Sequence, residues 1–537
     1  MKVKEHPFDW TGAKQRMRKA HDGESRSKFV SDMLLIALAT VSDELDVPEQ
    51  VQIRRQKRQV LLDRGLQAYP VSLPITSSIG KLREQYGHLE AESSTGVTVG
   101  IAGRVIFSRN TGKLAFATIA AGSGETIQAM LSLGQVGEES LADWKALVDL
   151  GDQIFVQGEV ISSKRGELSV YVDSWSMAAK SLRPLPVAHK EMNEESRVRQ
   201  RYVDLIMRPE AQVMARTRVK AVSALRTSLS NRGYLEIETP MLQTQPGGAT
   251  ARPFITHSNA FGIDLYLRIA PELFLKRAVV GGLDRVFEIN RNFRNEGADS
   301  SHSPEFAMLE FYQAFADYQD MATITREVIQ EAAQAVAGSM TVIHFDGSEH
   351  DLSGLWPQID LYDSLSAAVH QDVTPETSRA VLETLCTAAD IKFAPTWVNG
   401  KLVEELFEHY VIPTFTEPTF VMHFPVDTSP LTRDHRSRPG VVEKWDLYID
   451  GFELATGYSE LVDPVIQRER LVEQASLGAK GDKEAMPLDE DFLRALEHGM
   501  PPSGGVGMGV DRLLMALTGQ GIRETILFPL VKPERDQ

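Results

Sequence analysis

The chain has 537 residues, 42% of them apolar and 24% charged, with a formal net charge of −17 and a single cysteine, Cys386. That length predicts two to four domains of ordinary globular composition. One cysteine excludes an internal disulfide framework, and the acidic balance argues against non-specific nucleic-acid binding while leaving room for a local basic face.

Taken from the N-terminus, MKVKEHPFDW lacks the apolar core of a secretory signal. The apolar run from Met33 to Val41 is too short to span a bilayer and is bounded by Asp32 and Asp43. A cytoplasmic protein with no membrane partner is expected. Residues 1–48 read as a loose tail with one helix, or as a basic arm that touches RNA. Residues 49–181 open with apolar positions at helical spacing from Val51 to Pro70, where Gly65 stands at the helix end. The period then changes. Residues 97–121, 126–133 and 152–179 alternate apolar and polar side chains, broken by turn signals such as Asn110-Thr111-Gly112 and Arg165-Gly166. About five short strands with a helical stretch at 138–150 predict a small closed barrel of the OB type, a fold that often binds single-stranded nucleic acid.

Residues 182–190, LRPLPVAHK, form a proline-punctuated linker. From 191 to 537, amphipathic helices such as 209–231 and 318–337 alternate with strands, which predicts one large α+β domain. Within it, 284–296 and 304–315 read as two strands joined by the polar tip GADSSHS. Residues two apart on a strand share a face. Glu288, Asn290, Asn292, Arg294 and Glu296 therefore line up on one strand, and Phe306, Met308, Glu310 and Tyr312 on the other. An arginine fork suits a phosphate, and a ring beside it suits a purine. A solvated sheet face would carry similar charge but rarely needs Phe and Tyr on its polar side.

RNFRNEGADSSHSPEFAMLEFY (291–312) resembles motif 2 of the class II aminoacyl-tRNA synthetases. GGVGMGVDRLLMALTG (504–519) resembles their motif 3, and the segment 209–242, ending in NRGYLEIETPML with Pro240, resembles their motif 1. Within that class, 246–282 and 481–505 are most similar to the lysyl-tRNA synthetases. The resemblance covers about 50–535. It implies an α+β chain: a helix plus OB-fold anticodon-binding domain (49–181), then a class II catalytic domain (191–537) with an antiparallel sheet flanked by helices and motif 2 at 284–315. It also implies a homodimer that activates L-lysine with ATP and Mg2+ to lysyl-adenylate plus pyrophosphate, then transfers lysine to the terminal adenosine of tRNA(Lys). Neither step needs a protein nucleophile, because alignment and charge neutralisation carry such chemistry.

By the same resemblance, Arg294 holds the α-phosphate and the lysine carboxylate, Glu296 the adenine amino group, and His302 the outer phosphates. Phe306 stacks on the adenine, and Arg512 meets the γ-phosphate. The glycines Gly505, Gly507 and Gly509 let backbone pass close to the nucleotide. Magnesium falls to Asp446, where the family commonly has Glu, and to Glu453, with a solvated strand face as the alternative. For lysine, Glu272 takes the α-amino group, Glu460 the ε-ammonium with Tyr312 near it, and Gly248 belongs to a closing loop. Thr456 stands where Asn is usual, and Ser258 where His is usual. Arg109, Phe116 and Gln128 are the expected anticodon contacts, with core packing as the alternative for Phe116. An aspartyl or asparaginyl synthetase would have no use for Glu460. A silent RNA-binding relative would not need Arg294 and Arg512. A lysyl-transferring paralogue acting on a non-tRNA acceptor is the remaining competitor.

Overall fold

In the computed structural model, which describes residues 48–186, 192–297, 302–480 and 485–533, the chain separates into two units, Met1–Glu191 and Met192–Gln537. The extension read at 1–48 lies outside the described residues up to 47, as does the end of the linker 182–190.

In the first unit, α1 (Glu49–Asp63) stops where Gly65 turns to φ +73°, a left-handed conformation that suits glycine. Five strands follow: β1 (Ser94–Thr111), β2 (Leu114–Ala120), β3 (Thr126–Ser132), β4 (Gln153–Ser162) and β5 (Leu168–Ala179). They close a barrel in the order β1-β2-β3-β5-β4. Alternation is what closes it. β2 and β3 bury every second residue without a break, so Ile119, Ile127 and Leu131 face Val156 and Val170 in one core. Each such side chain contributes about 1.5–3 kcal/mol of burial. Helix α2 (Glu138–Leu147) adds Leu141, Trp144 and Leu147 to the same core. Gly158 marks a close approach: a Cβ there would lie 2.0 Å from the Tyr171 carbonyl oxygen. In β1 the register slips between Val105 and Phe107, a bulge that leaves Ile106 and Phe107 both outside the core.

The second unit is built on an eight-stranded sheet. Its strands are β6 (Leu235–Glu236), β7 (Arg285–Phe293), β8 (Glu305–Ala314), β9 (Gln358–Asp360), β10 (Thr419–Met422), β11 (Lys444–Ile449), β12 (Phe452–Ser459) and β13 (Ser503–Gly509), in the order β9-β10-β11-β12-β13-β8-β7-β6. The inner pairs are antiparallel, and the two edge pairs, β6–β7 and β9–β10, are parallel. Strand parity sorts the two faces. Phe287, Leu309, Phe311, Trp445, Leu447, Val506 and Met508 enter a core with α3 (Pro209–Asn231), α5 (Tyr318–Ala337) and α9 (Val510–Thr518). Pro209 opens α3, where its missing N–H costs nothing. Asp317 and Asp320 form a capping box at the start of α5. The opposite face carries α4 (Glu272–Val280) near one end of the cleft. A separate cluster joins α6 (Leu361–Val369), α7 (Arg379–Ala388) and α8 (Asn399–Tyr410), and Cys386 is fully buried in it.

α9 begins at Val510, so Asp511 and Arg512 lie in its first turn rather than ahead of the helix. Asp511 binds three motifs together: Oδ2 accepts from the Ala307 amide at 2.7 Å, and Oδ1 pairs with Arg218 on α3.

Candidate active site

Register places the polar side chains of the central strands in rows. Glu310, Gly507, Thr456 and Asp446 are successive partners across β8, β13, β12 and β11, and Tyr312, Gly505, Tyr458 and Lys444 form the next row. The strand in the middle carries glycine in both rows, and that makes a floor without side chains. At Gly505 a Cβ would stand 2.0 Å from Glu460 Oε1 and 2.5 Å from a ring carbon of Tyr312.

Two adjoining cavities open above these rows. The first, about 210 Å³, is lined by Gly248, Glu272, Arg294, Glu310, Tyr312, Thr456 and Tyr458 among others. The second, about 230 Å³, is lined by Arg294, Glu296, His302, Phe306, Glu453 and Arg512. Arg294, Met308, Thr456 and Gly507 belong to both walls. Arg294 thus stands at the junction, with its guanidinium carbon 5.1 Å from the centre of the Phe306 ring. Its Nε is buried without a hydrogen-bond partner, and burial holds its pKa below the ordinary arginine value. Arg512 donates to the Glu453 carbonyl at 2.6 Å and lies 3.4 Å from His302 Nε2.

The first cavity is strongly anionic. Glu272 Oε2 accepts from the Tyr458 hydroxyl at 2.8 Å, and Oε1 accepts from Lys276 Nζ at 2.6 Å. The same ammonium forms an ion pair with Glu460 Oε2. Beyond that pair no hydrogen bond reaches either oxygen of Glu460. Burial, with the Glu272 charge adding and Lys276 opposing, pushes the Glu460 carboxyl up to about 8. Burial also holds Glu310 well above the carboxylate range; Glu272 adds to this, while a hydrogen bond from the Tyr312 hydroxyl at 3.3 Å opposes it.

Of the residues expected at the site, Glu296, His302, Phe306 and Arg512 surround the second cavity, and Gly248, Glu272, Tyr312 and Thr456 the first. Glu460 is not a lining residue: its side chain is fully enclosed beneath Gly505. Gly248 adopts φ +86°, and a Cβ there would lie 2.9 Å from the Glu272 Cβ. The open polar platform is shorter than its sequence suggested. Glu288 is tied to Arg268 at 2.7 Å and to the Thr239 hydroxyl at 2.6 Å, and Asn290 and Asn292 are buried beside it. Sequence reasoning did not assign Tyr458, Lys276 or Lys444 to the site. The signal for Lys276 was its position four residues after Glu272 on one helix face.

Asp446 is buried, unlike a solvated strand face, while Glu453 is exposed. Lys444 Nζ donates to Asp446 Oδ2 at 3.1 Å, and Asp446 Oδ1 has no hydrogen-bond partner. Burial, with Glu453 adding, pushes this carboxyl up to about 6. An orphaned buried carboxylate oxygen beside a second carboxylate suits a hard divalent cation. Among the described residues, the group of His344, His350 and Asp450 also brings three possible ligands together, but it lines neither cavity. Its imidazoles stack 3.8 Å apart and 17° from parallel, so one ion cannot lie in both ring planes.

On the barrel, Arg109 and Phe116 are register partners, and Gln128 opposes Thr118 one row away on the same outer face. Phe116 is half-buried on that face and not among the core residues. Phe107 pairs with Thr118 in the Gln128 row and is 55% exposed, an aromatic that sequence reasoning passed over.

Residues 193–532 match the family described as tRNA synthetases class II (D, K and N), and 99–178 match the OB-fold nucleic acid binding domain. The chain is 64% identical over 489 residues to a lysine–tRNA ligase of Kineococcus radiotolerans, covering 91% of this chain and 98% of that protein. It is 59% identical over 494 residues to a lysine–tRNA ligase of Mycobacterium bovis, with the same coverage. A lysylphosphatidylglycerol biosynthesis bifunctional protein, LysX of Mycobacterium avium, is 49% identical over 492 residues, which is 91% of this chain and 41% of that protein.

Proposed function

The chain belongs to the class II tRNA synthetases of the D, K and N group and is a lysine–tRNA ligase, and on that premise we propose how its residues divide the work. The first cavity takes lysine. Glu272 receives the α-ammonium, while Glu310 and the enclosed Glu460, with Tyr312, answer the ε-ammonium. Thr456 forms the wall shared with the nucleotide. The second cavity takes ATP. Phe306 and Glu296 hold the adenine, and His302 and Arg512 the outer phosphates. Arg294, present in both walls, bridges the lysine carboxylate and the α-phosphate. Asp446 and Glu453 would hold Mg2+, which when bound supplies positive charge against the triphosphate.

Arg294 at the junction is the observation that carries this reading. The reaction joins a carboxylate oxygen to the α-phosphorus, and two anions approach each other only if a cation stands between them. Alignment of the two bound reactants supplies much of the rest, about 7–11 kcal/mol in favourable cases. Lysine then passes to the terminal adenosine of tRNA(Lys), whose anticodon meets the barrel face of Arg109, Phe116, Gln128 and Phe107. We place the enzyme in the cytoplasm as a homodimer. No helix among the described residues is long and apolar enough to cross a membrane.

ATP–pyrophosphate exchange across a panel of amino acids tests the reading. Lysine alone should support exchange, and Arg294→Ala should reduce it at least a thousandfold. Exchange driven by aspartate, or unaffected by Arg294→Ala, overturns it. Transfer to a non-tRNA acceptor, the activity that the name of LysX raises, predicts exchange without charging of tRNA(Lys).

A further inference from the structure

Behind the wall of the lysine pocket lies a lysine of the chain itself. Lys276 sits on α4 one turn after Glu272, and its side chain is 0% exposed. The ammonium spans Glu272 and Glu460, two carboxylates from distant parts of the chain, and lies 5.6 Å from the centre of the Tyr458 ring. Its partners belong to the substrate cavity or its backing: Glu272 on α4 and Tyr458 on β12 line it, and Glu460 lies enclosed behind. Burial alone would lower the Lys276 pKa, and the two carboxylates outweigh it, so the residue stays charged.

We propose that Lys276 is a positioning and specificity-determining residue: a built-in counter-cation that fixes Glu272, in the cavity wall, and the enclosed Glu460 behind it. Glu272 and Glu310 line the cavity together with the cations Arg294 and Lys444, and Lys276 ties Glu272 to the enclosed Glu460. On the reading above, a diamino acid brings one ammonium to Glu272 and a second to Glu310 and Glu460. A monoamino acid of the same length brings one and leaves a buried carboxylate unanswered or protonated, which is costly in a low-dielectric site. Without Lys276, Glu460 beside Glu272 would hold its proton more tightly, and lysine would have to expel that proton at a higher pH to bind.

This inference rests on the reading of the cavity as the lysine site and is tested in full-length enzyme by lysine-dependent ATP–pyrophosphate exchange between pH 6 and 9. With Lys276→Met, the lysine KM at pH 7 should rise at least tenfold while the ATP KM stays within twofold. The pH at which the lysine KM levels off should move up by one unit or more, a change that a purely structural role would not produce. Lys276→Arg, which keeps the cation, should retain the wild-type levelling pH, and it decides the question if the Met variant does not fold. A lysine KM within twofold of wild type in Lys276→Met, or a levelling pH that moves in Lys276→Arg, overturns the inference. Wild-type enzyme without lysine-dependent exchange would instead remove the reading on which it stands.

Discussion

Glu460 shows how a single carboxyl can couple substrate binding to pH. Its carboxyl, pushed up to about 8 in the free pocket, is largely protonated at pH 6. An arriving ammonium favours the ionised form, so binding expels the proton, and raising the pH must strengthen binding. Lysine affinity should climb by up to about tenfold per pH unit between 6 and 8 and then flatten. It should fall again where the α-ammonium of free lysine, which Glu272 receives, deprotonates, ahead of the ε-ammonium. Glu310, also raised, acts in the same direction. Calorimetric titration with lysine at pH 6, 7 and 8 checks this, and a constant affinity contradicts it. Gly505 is the second residue that decides the pocket. Gly505→Ala forces a methyl group into Glu460 and the Tyr312 ring, an overpacking cost of about 1–3 kcal/mol. The kcat/KM for lysine should drop at least tenfold while the ATP KM holds. Much of this site could be read from residue types and two-residue spacing: Phe306, Glu310 and Tyr312 stand on the face that strand parity alone predicts, whereas Arg294 lies one residue past the end of β7, which stops at Phe293 and not at the expected 296. The role of Lys276 could not, because its contact with Glu460 joins segments far apart in sequence and is created by packing.

At the level of elements, irregularities carry what periodicity hides. Strict alternation along β1 would give Phe107 the parity of Val105, which is fully buried. The bulge between them turns Phe107 outward, into the row of Thr118 and Gln128. No sequence pattern announces a bulge, and this is why Phe107 was legible only in the structure. If the barrel face stacks anticodon bases, each ring contributes about 1–3 kcal/mol. Phe107→Ala and Phe116→Ala should each weaken tRNA charging roughly five- to a hundredfold in kcat/KM for tRNA and leave exchange without tRNA unchanged. Equal loss in both assays would show that the rings serve folding. The helix start at Val510 is a similar case. It puts Asp511 where one carboxylate can hold the Ala307 amide and Arg218 together. Asp511→Ala removes the acceptor of the Ala307 amide and the carboxylate of Arg218, which keeps the Thr525 carbonyl, a loss of about 3–5 kcal/mol for a broken buried pair. A clear fall in melting temperature should accompany lost exchange.

On the scale of the whole molecule, the catalytic sheet ends on one side in a short edge strand. β6 pairs with β7 on one side only, and it is two residues long. Leu235 on that strand is 53% exposed, and Met241 and Leu242 just beyond it are 49% and 51% exposed. Short edge strands limit runaway pairing, but exposed apolar side chains on and soon after an open edge strand suit an interface. All three residues fall in the segment that resembles motif 1, from which a homodimer is expected. Closed two-fold pairing buries the same patch on both copies, so one substitution acts twice. Sedimentation should therefore give about twice the chain mass of 59.6 kDa. Met241→Asp should shift the enzyme toward monomer in a concentration-dependent way, because each copy then places a carboxylate in an apolar contact. A wild-type monomer at micromolar concentration, or a Met241→Asp dimer of unchanged affinity, would place the interface elsewhere or remove it.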